Sequence, residues 1–192
     1  MKGQIKAVVF DLDGTMVDTQ LDFLEMKKQI GIPEDQDILG YLDSISDENF
    51  ILKAHKIIDE HESKGALNAK PIADVENFLN FLNEKNIPTA ILTRNSKKVT
   101  ELVLKNLNWK LKPVITRDCA AFKPNPEGLN IIANELKLDP RALLFIGDHL
   151  TDLETAKNAN CYSALIENDN NTHFAPMANI RFKRFQELFS YF

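Results

Sequence analysis

The sequence predicts an α/β fold, a Rossmann-like doubly wound parallel sheet with an inserted small all-helical cap subdomain. Three observations carry that expectation. Short apolar runs rich in β-formers recur at residues 7–10, 88–93, 142–146 and 162–166, the continuous pattern of strands buried on both faces. From Pro71 onward amphipathic stretches separate these runs, and strand–helix alternation means parallel strands covered by helices. Between residues 17 and 68, by contrast, the pattern is helical and holds no convincing strand. The expected division is a core of residues 1–16 and 70–192 and a helical cap of residues 17–69.

The first strand ends abruptly in Asp11-Leu12-Asp13-Gly14-Thr15. Asp13-Gly14 alone is an ordinary turn signal. Two carboxylates one residue apart, however, repel each other unless a cation or a proton lies between them. The carboxyl end of a strand is also where open α/β sheets bind ligands. Thr19 is placed to cap a helix carrying Leu21, Leu24 and Ile30, stopped by Gly31 and Pro33. A short helix over 35–42 and a longer one over 47–67 follow, the latter with Phe50, Ile51, Ala54, Ile57 and Ile58 on one stripe.

In the second part Asp74 caps a helix to about residue 86, with Val75, Phe78, Leu79 and Leu82 on its apolar face. Ser96 opens a helix to about 107 with Val99, Leu102 and Val103 inward, and a weak strand covers 113–116. Asn125-Pro126 starts a helix to 138, with proline at its first helical position. A helix over 151–158, a polar loop at 169–173, an edge strand at 180–182 and a short terminal helix complete the reading. Phe182, Phe185, Phe189 and Phe192 are expected in the core.

Composition narrows the function classes. The 192 residues are 44% hydrophobic and 27% charged, as in ordinary globular chains. A net charge of −5 argues against nucleic-acid binding by phosphate neutralisation. Met1 to Gln4 is too short and polar for a signal peptide, and no apolar run approaches spanning length, so no membrane partner is expected. Cys119 and Cys161 lack metal-type spacing and read as free thiols in a reducing cytoplasm. His55, His61, His149 and His173 are scattered, which argues against zinc. A monomer or weak dimer is expected.

Chemistry gathers at the other strand ends. Thr93-Arg94-Asn95 precedes a helix start, where a hydroxyl and free N–H groups make an anion site; taken alone, Asn95 or Ser96 would be an ordinary cap. Lys123 stands before Pro124-Asn125-Pro126, a stiff setting for a side chain that is otherwise a common surface residue. Gly147-Asp148-His149-Leu150-Thr151-Asp152 follows a buried strand, and capping explains one of its aspartates comfortably but not both. Together Asp11, Asp13, Thr93, Lys123, Asp148 and Asp152 could hold Mg²⁺ through oxygen ligands, bind a phosphate against it and attack phosphorus with a carboxylate.

With DLDGT, ILTRN, KPNP and GDHLTD in this order, the whole chain resembles the haloacid dehalogenase-like (HAD) superfamily. Within it the chain is similar to the phosphoglycolate phosphatase and β-phosphoglucomutase group, whose helical insertion falls at the same place. The resemblance implies Asp11 as nucleophile and Asp13 as the acid and base that moves protons. It implies Mg²⁺ held by a carboxylate oxygen of Asp11, the main-chain carbonyl of Asp13, and Asp148, with Asp152 steering Asp148 or the metal's waters from behind. Thr93 and the N–H groups of Arg94 and Asn95 would bind phosphoryl oxygens, and Lys123 would pair with Asp11 and the transferring group. The expected activity is Mg²⁺-dependent hydrolysis of a small phosphorylated metabolite through an aspartyl-phosphate. A phosphomutase or a catalytically idle binding protein is the alternative. Asp13 speaks against dehalogenation, whose enzymes lack this second acid. His149 replaces the small residue common after the fourth motif's first aspartate and is either an exposed loop residue or a contact to substrate or cap. Met16, Asp18 and Gln20, beside the junction with the insertion, are candidates to face the pocket.

Overall fold

The computed structural model describes residues 3–192; Met1 and Lys2, the start of the short polar N-terminal stretch, lie outside it. Strand β1 (Ala7–Phe10) is buried along its whole length. Its side chains alternate between two cores: Val8 and Phe10 enter one, Ala7 and Val9 the other. The chain then forms β2 (Val17–Asp18), which pairs antiparallel with β3 (Lys70–Pro71). This two-residue ribbon corrects the expectation that 17–68 holds no strand. It brackets the insertion at its neck, and a strand of two residues leaves no periodic signal to read.

Between the two halves of the ribbon lie α1 (Phe23–Ile30), α2 (Ile38–Asp43) and α3 (Glu48–Asn68). Each opens on an aspartate, Asp22, Asp37 and Asp47, whose carboxylate accepts the first-turn N–H. Thr19 is therefore not the cap of α1, because Asp22 is closer to the helix and takes that role. Gly31 ends α1, as expected. Met26, Ile30, Ile38, Leu42, Ala54 and Ile58 form a core belonging to these helices. Leu24, expected on that face, is exposed.

The remainder alternates regularly: α4 (Val75–Glu84), β4 (Thr89–Leu92), α5 (Lys97–Asn106), β5 (Val114–Ile115), α6 (Glu127–Leu136), β6 (Leu143–Gly147), α7 (Leu150–Asn158), β7 (Tyr162–Ile166) and β8 (Ile180–Phe182). Two starts differ in detail. Asp74 precedes α4 without a side-chain capping bond, and Pro126 occupies the N-cap of α6 rather than its first turn. The polar stretch at 169–173 runs into a 3-10 helix, Thr172–Met177, and the terminal helix is also 3-10, Phe185–Tyr191.

The six-stranded sheet is wholly parallel in the order β5-β4-β1-β6-β7-β8. The chain builds outward from β1 through β4 and β5, then crosses to β6 and continues the other way. The direction reverses between β1 and β6, and the crevice at their carboxyl ends is the place where such sheets bind ligands. The Phe-rich end is core as expected, with Phe78 and Phe185 against Phe10. Phe78 stacks on Phe185 and Phe189, and Phe81 lies parallel to Phe189 at 4.4 Å. Burying a side chain such as Phe78 contributes about 1.5–3 kcal/mol. No helix among the described residues is long and apolar enough to cross a membrane.

Candidate active site

The carboxyl ends of β1, β4 and β6 and the segment after β5 bring the predicted side chains into one crevice. Lys123 is its centre. Its Nζ donates to Asp11 Oδ1 at 2.5 Å and to Asp152 Oδ1 at 2.6 Å, 4% exposed and over the face of Phe145. Burial disfavours the ammonium, but the two carboxylates outweigh it and hold Lys123 charged. Asp152 has its other oxygen on the His149 N–H at 3.0 Å, so both of its oxygens are committed. That fits a residue that positions others.

Asp148 follows β6. Thr15 donates to its Oδ1 at 3.4 Å, and Asn171 Nδ2 grips its main-chain carbonyl at 2.7 Å and that of Ile166 at 2.9 Å. Gly14 makes room for it: at φ 74°, a Cβ here would lie 2.4 Å from Asp148 Oδ2. An L-residue would be strained in that backbone conformation and would collide with the carboxylate.

Asp13 faces a different set of partners. Thr19 donates to its Oδ1 at 2.7 Å and Asn95 Nδ2 to its Oδ2 at 2.5 Å. Burial raises its carboxyl, and these two bonds offset only part of that. Thr93 is buried, and its Oγ1 accepts the Asn95 N–H at 3.1 Å. Asn95 thus serves Asp13 through its side chain, a role that its place in a cap-like Thr-Arg-Asn turn does not announce.

The insertion closes one wall. Arg94 makes a two-pronged ion pair with Asp37, at 2.8 and 2.6 Å. Arg117, which the sequence reading passed over, donates to Glu62 Oε1 at 2.6 Å, to Asp59 Oδ1 at 3.1 Å and to the Arg94 carbonyl at 2.9 Å. The cavity beneath holds about 540 Å³ and is lined by all the predicted strand-end residues, with Asp18 and Gln20 also in its wall. Met16 does not reach it but is fully buried in the sheet core. His149 proves to be the N-cap of α7, its Nδ1 taking the Thr151 N–H at 3.3 Å, while its exposed ring borders the cavity.

Asp11, Asp148 and Asp152 place carboxylate oxygens within 4.8 Å of one another. Burial, opposed by Lys123 and reinforced by the other carboxylates, pushes Asp11 well up. Burial and the Asp152 charge push Asp148 up to about 7. One lysine therefore leaves the cluster short of positive charge. The donors are all oxygen, the set preferred by Mg²⁺. With Asp152 committed, Asp11 and Asp148 have the oxygens to offer, so the residues present fit the ion.

Residues 5–160 match the family model of the haloacid dehalogenase-like hydrolases. An uncharacterized hydrolase of Saccharomyces cerevisiae is 30% identical over 175 residues, spanning 88% of this chain and 80% of its own. An N-acetylmuramic acid 6-phosphate phosphatase of Pseudomonas aeruginosa is 23% identical, over 85% of this chain and 82% of its own. The crystal structure of a predicted phosphoglycolate phosphatase from Haemophilus somnus shares the fold, with a TM-score of 0.74, 18% identity and 97% of each chain covered. Because the family match runs through all four strand-end motifs, from Asp11 to Asp152, the chain belongs to the haloacid dehalogenase-like hydrolases.

Proposed function

We propose that this chain is a Mg²⁺-dependent phosphatase that hydrolyses a small phosphomonoester through an aspartyl-phosphate on Asp11. Hydrolysis of phosphomonoesters is the activity of its phosphatase relatives. The observation that carries the finer reading is the division between the two β1 carboxylates. Asp11 is tied to Lys123 and the metal-type cluster, whereas Asp13 is tied to the neutral donors Thr19 and Asn95. Lys123 and a bound cation would oppose the burial that raises the Asp11 carboxyl and so favour its anion. Neutral donors leave the raised Asp13 carboxyl to carry a proton.

Asp11, Asp148 and the main-chain carbonyl of Asp13 would hold Mg²⁺, which when bound neutralises charge on the carboxylates and on the phosphoryl oxygens. Lys123 adds positive charge at Asp11 Oδ1, and Thr93 with the Arg94 and Asn95 amides would orient the phosphoryl group. An Asp11 oxygen bonds to phosphorus as the ester P–O bond breaks. The leaving oxygen keeps that electron pair and takes the Asp13 proton. Asp13, now ionised, removes a proton from water, whose oxygen attacks phosphorus. The bond to Asp11 breaks, its electrons return to the carboxylate, and phosphate leaves. One side chain serves both steps because departure of the alcohol leaves it charged. Residues 17–69 would act as the cap that shields the acyl phosphate from stray water. Two free cysteines suit a cytoplasmic setting.

Phosphate release from p-nitrophenyl phosphate and a panel of metabolite phosphates, with and without Mg²⁺, tests this reading. Asp11→Asn is expected to lower turnover by about 10³-fold or more and to prevent capture of a radiolabelled phosphoryl group on acid-quenched protein. No phosphate release from any member of the panel would end it. Transfer of the phosphoryl group back to a sugar, with no free phosphate, would point to a mutase.

A further inference from the structure

The cavity has two unlike halves. Its apolar side chains, Leu21, Phe23, Met26, Ile38, Leu39 and Ile58, all come from the insertion, and the sheet contributes only polar groups and Gly14. Met26, Ile38 and Ile58 are buried and belong to the insertion's own core, so they back the wall without being open to a ligand. Phe23 is different. Among the described residues Phe23, Leu24, Leu52, Leu67 and Met177 are the exposed large apolar side chains, and of these Phe23, 54% exposed, alone lines this cavity. Single apolar residues on an outer surface are ordinary. An aromatic ring left open in a cavity that also holds the reacting carboxylates is a binding surface.

Phe23 is the first residue of α1, fixed by the Asp22 cap, whose carboxylate accepts the Glu25 N–H at 2.9 Å. Thr19, whose hydroxyl holds Asp13, stands so close in sequence that its α-carbon lies at most about 14 Å from that of Phe23. The ring is thus within reach of a substrate whose leaving oxygen sits at Asp13. The charged side chains that the insertion places in the same wall are engaged with protein partners. Asp37 is on Arg94, Glu62 on Arg117, Asp18 on the Gln20 N–H, and Lys27 Nζ on the Glu34 carbonyl at 2.6 Å. Apolar surface is what this half of the cavity has to offer.

Resting on the phosphatase reading above, we propose that Phe23 is a specificity-determining residue: with Leu21 and Leu39 it receives an alkyl or aryl portion of the leaving alcohol, selecting phosphomonoesters of apolar alcohols over small anionic ones such as 2-phosphoglycolate. Covering the ring removes apolar area from water, whereas a carboxylate brought against it loses hydration with nothing in return. A cavity of about 540 Å³ has room for more than a two-carbon leaving group.

The test compares kcat/KM for n-butyl phosphate, ethyl phosphate and 2-phosphoglycolate, with p-nitrophenyl phosphate reporting the chemistry itself. The two alkyl esters have the same kind of leaving group, so their ratio reports binding of the chain. Each buried methylene is worth about fourfold, and the wild type is expected to favour n-butyl over ethyl phosphate by about tenfold or more. It should favour n-butyl phosphate over 2-phosphoglycolate by at least as much. Phe23→Ala is expected to lower the butyl-to-ethyl ratio by about threefold or more, mainly through the KM for n-butyl phosphate. Phe23→Leu, which keeps an apolar side chain, should retain most of the ratio. Because the ratio does not depend on the fraction of protein that is folded, a folding defect cannot imitate this result. Equal use of the two alkyl esters, or a ratio unchanged in Phe23→Ala, overturns the proposal. So does a wild-type preference for 2-phosphoglycolate over n-butyl phosphate, which would show Lys27 reading a charge instead. In each of these cases turnover of p-nitrophenyl phosphate leaves the phosphatase reading standing. Failure on p-nitrophenyl phosphate and every other ester overturns both.

Discussion

The Thr19 hydroxyl donates to Oδ1 of Asp13 at 2.7 Å, across the neck where the sheet gives way to the inserted helices. Asn95 can only donate through Nδ2, so it fixes Oδ2 as the permanent acceptor. Oδ1, facing a hydroxyl that can donate or accept, is left to carry the mobile proton. Thr19→Val removes that partner while keeping the side chain's shape. Because Thr19 positions Asp13 without touching phosphorus, kcat is expected to fall about tenfold, a fraction of the 10²–10⁴ that general acid–base catalysis contributes. KM should move much less, and Thr19→Ser should restore most of the rate. Steady-state kinetics on p-nitrophenyl phosphate decides it; an unchanged kcat in Thr19→Val would remove Thr19 from the mechanism.

The strand positions were legible because β1, β4, β6 and β7 are buried on both faces and therefore read as continuous apolar runs. Asp11, Lys123, Asp148 and Asp152 were legible because an ionisable group at a strand end needs a reason. Thr19, Arg117, Glu62 and Asn171 were not. Each is an ordinary residue for a helix or loop; Thr19 meets Asp13 from only 6 positions off but across a turn, while Glu62 meets Arg117 from 55 and Asn171 meets Asp148 from 23. Local pattern shows which face an element buries. It does not show which polar group folding brings opposite, so the junction between insertion and sheet was the least readable part.

Asp148 makes metal-free stability depend on pH. Burial, with the Asp152 charge, pushes its carboxyl up to about 7 from an ordinary 3.8, so the folded chain holds that proton more tightly than the unfolded one. The resulting stabilisation is complete below about pH 3.8 and is lost as pH rises through about 7. In the presence of a chelator, Asp148→Asn should therefore gain on the wild type between pH 5 and pH 8. Mg²⁺ should narrow that gap at pH 8, since saturation to 100 times Kd stabilises a binder by about 2.7 kcal/mol. Thermal unfolding with and without Mg²⁺ reads both effects. An equal Mg²⁺ response in the two proteins would show that Asp148 does not hold the ion.

The two cysteines should separate cleanly in a thiol titration. Cys119 is exposed, while Cys161 is buried and its thiol is pushed up to about 12 by that burial. At pH 8 the Cys161 thiolate then amounts to about one part in ten thousand, and the thiolate is the reactive form. Native protein is expected to react rapidly at one thiol and denatured protein at two. Mass spectrometry after iodoacetamide treatment should place the native label on Cys119.

Two arginines tie the sheet to the inserted helices, and their environments assign them unequal weights. The Arg94–Asp37 pair has side chains 21% and 52% exposed, whereas in Arg117–Glu62 both are 9% exposed. Solvent screens the first, which should contribute about 0–1 kcal/mol despite its two-pronged geometry. Removing Arg117 strands the Glu62 carboxylate in a buried site, a change that typically costs about 3–5 kcal/mol. It also frees the Arg94 carbonyl, and with it the turn whose amides would face the phosphoryl group. Arg117→Met should thus lower stability by several times the effect of Arg94→Met, as read by urea unfolding. Adding Glu62→Gln to Arg117→Met should recover part of the loss, because the neutral side chain no longer needs a counter-charge. If the double variant is as unstable as the sum of its two single changes, Arg117 acts by packing and not by compensating Glu62.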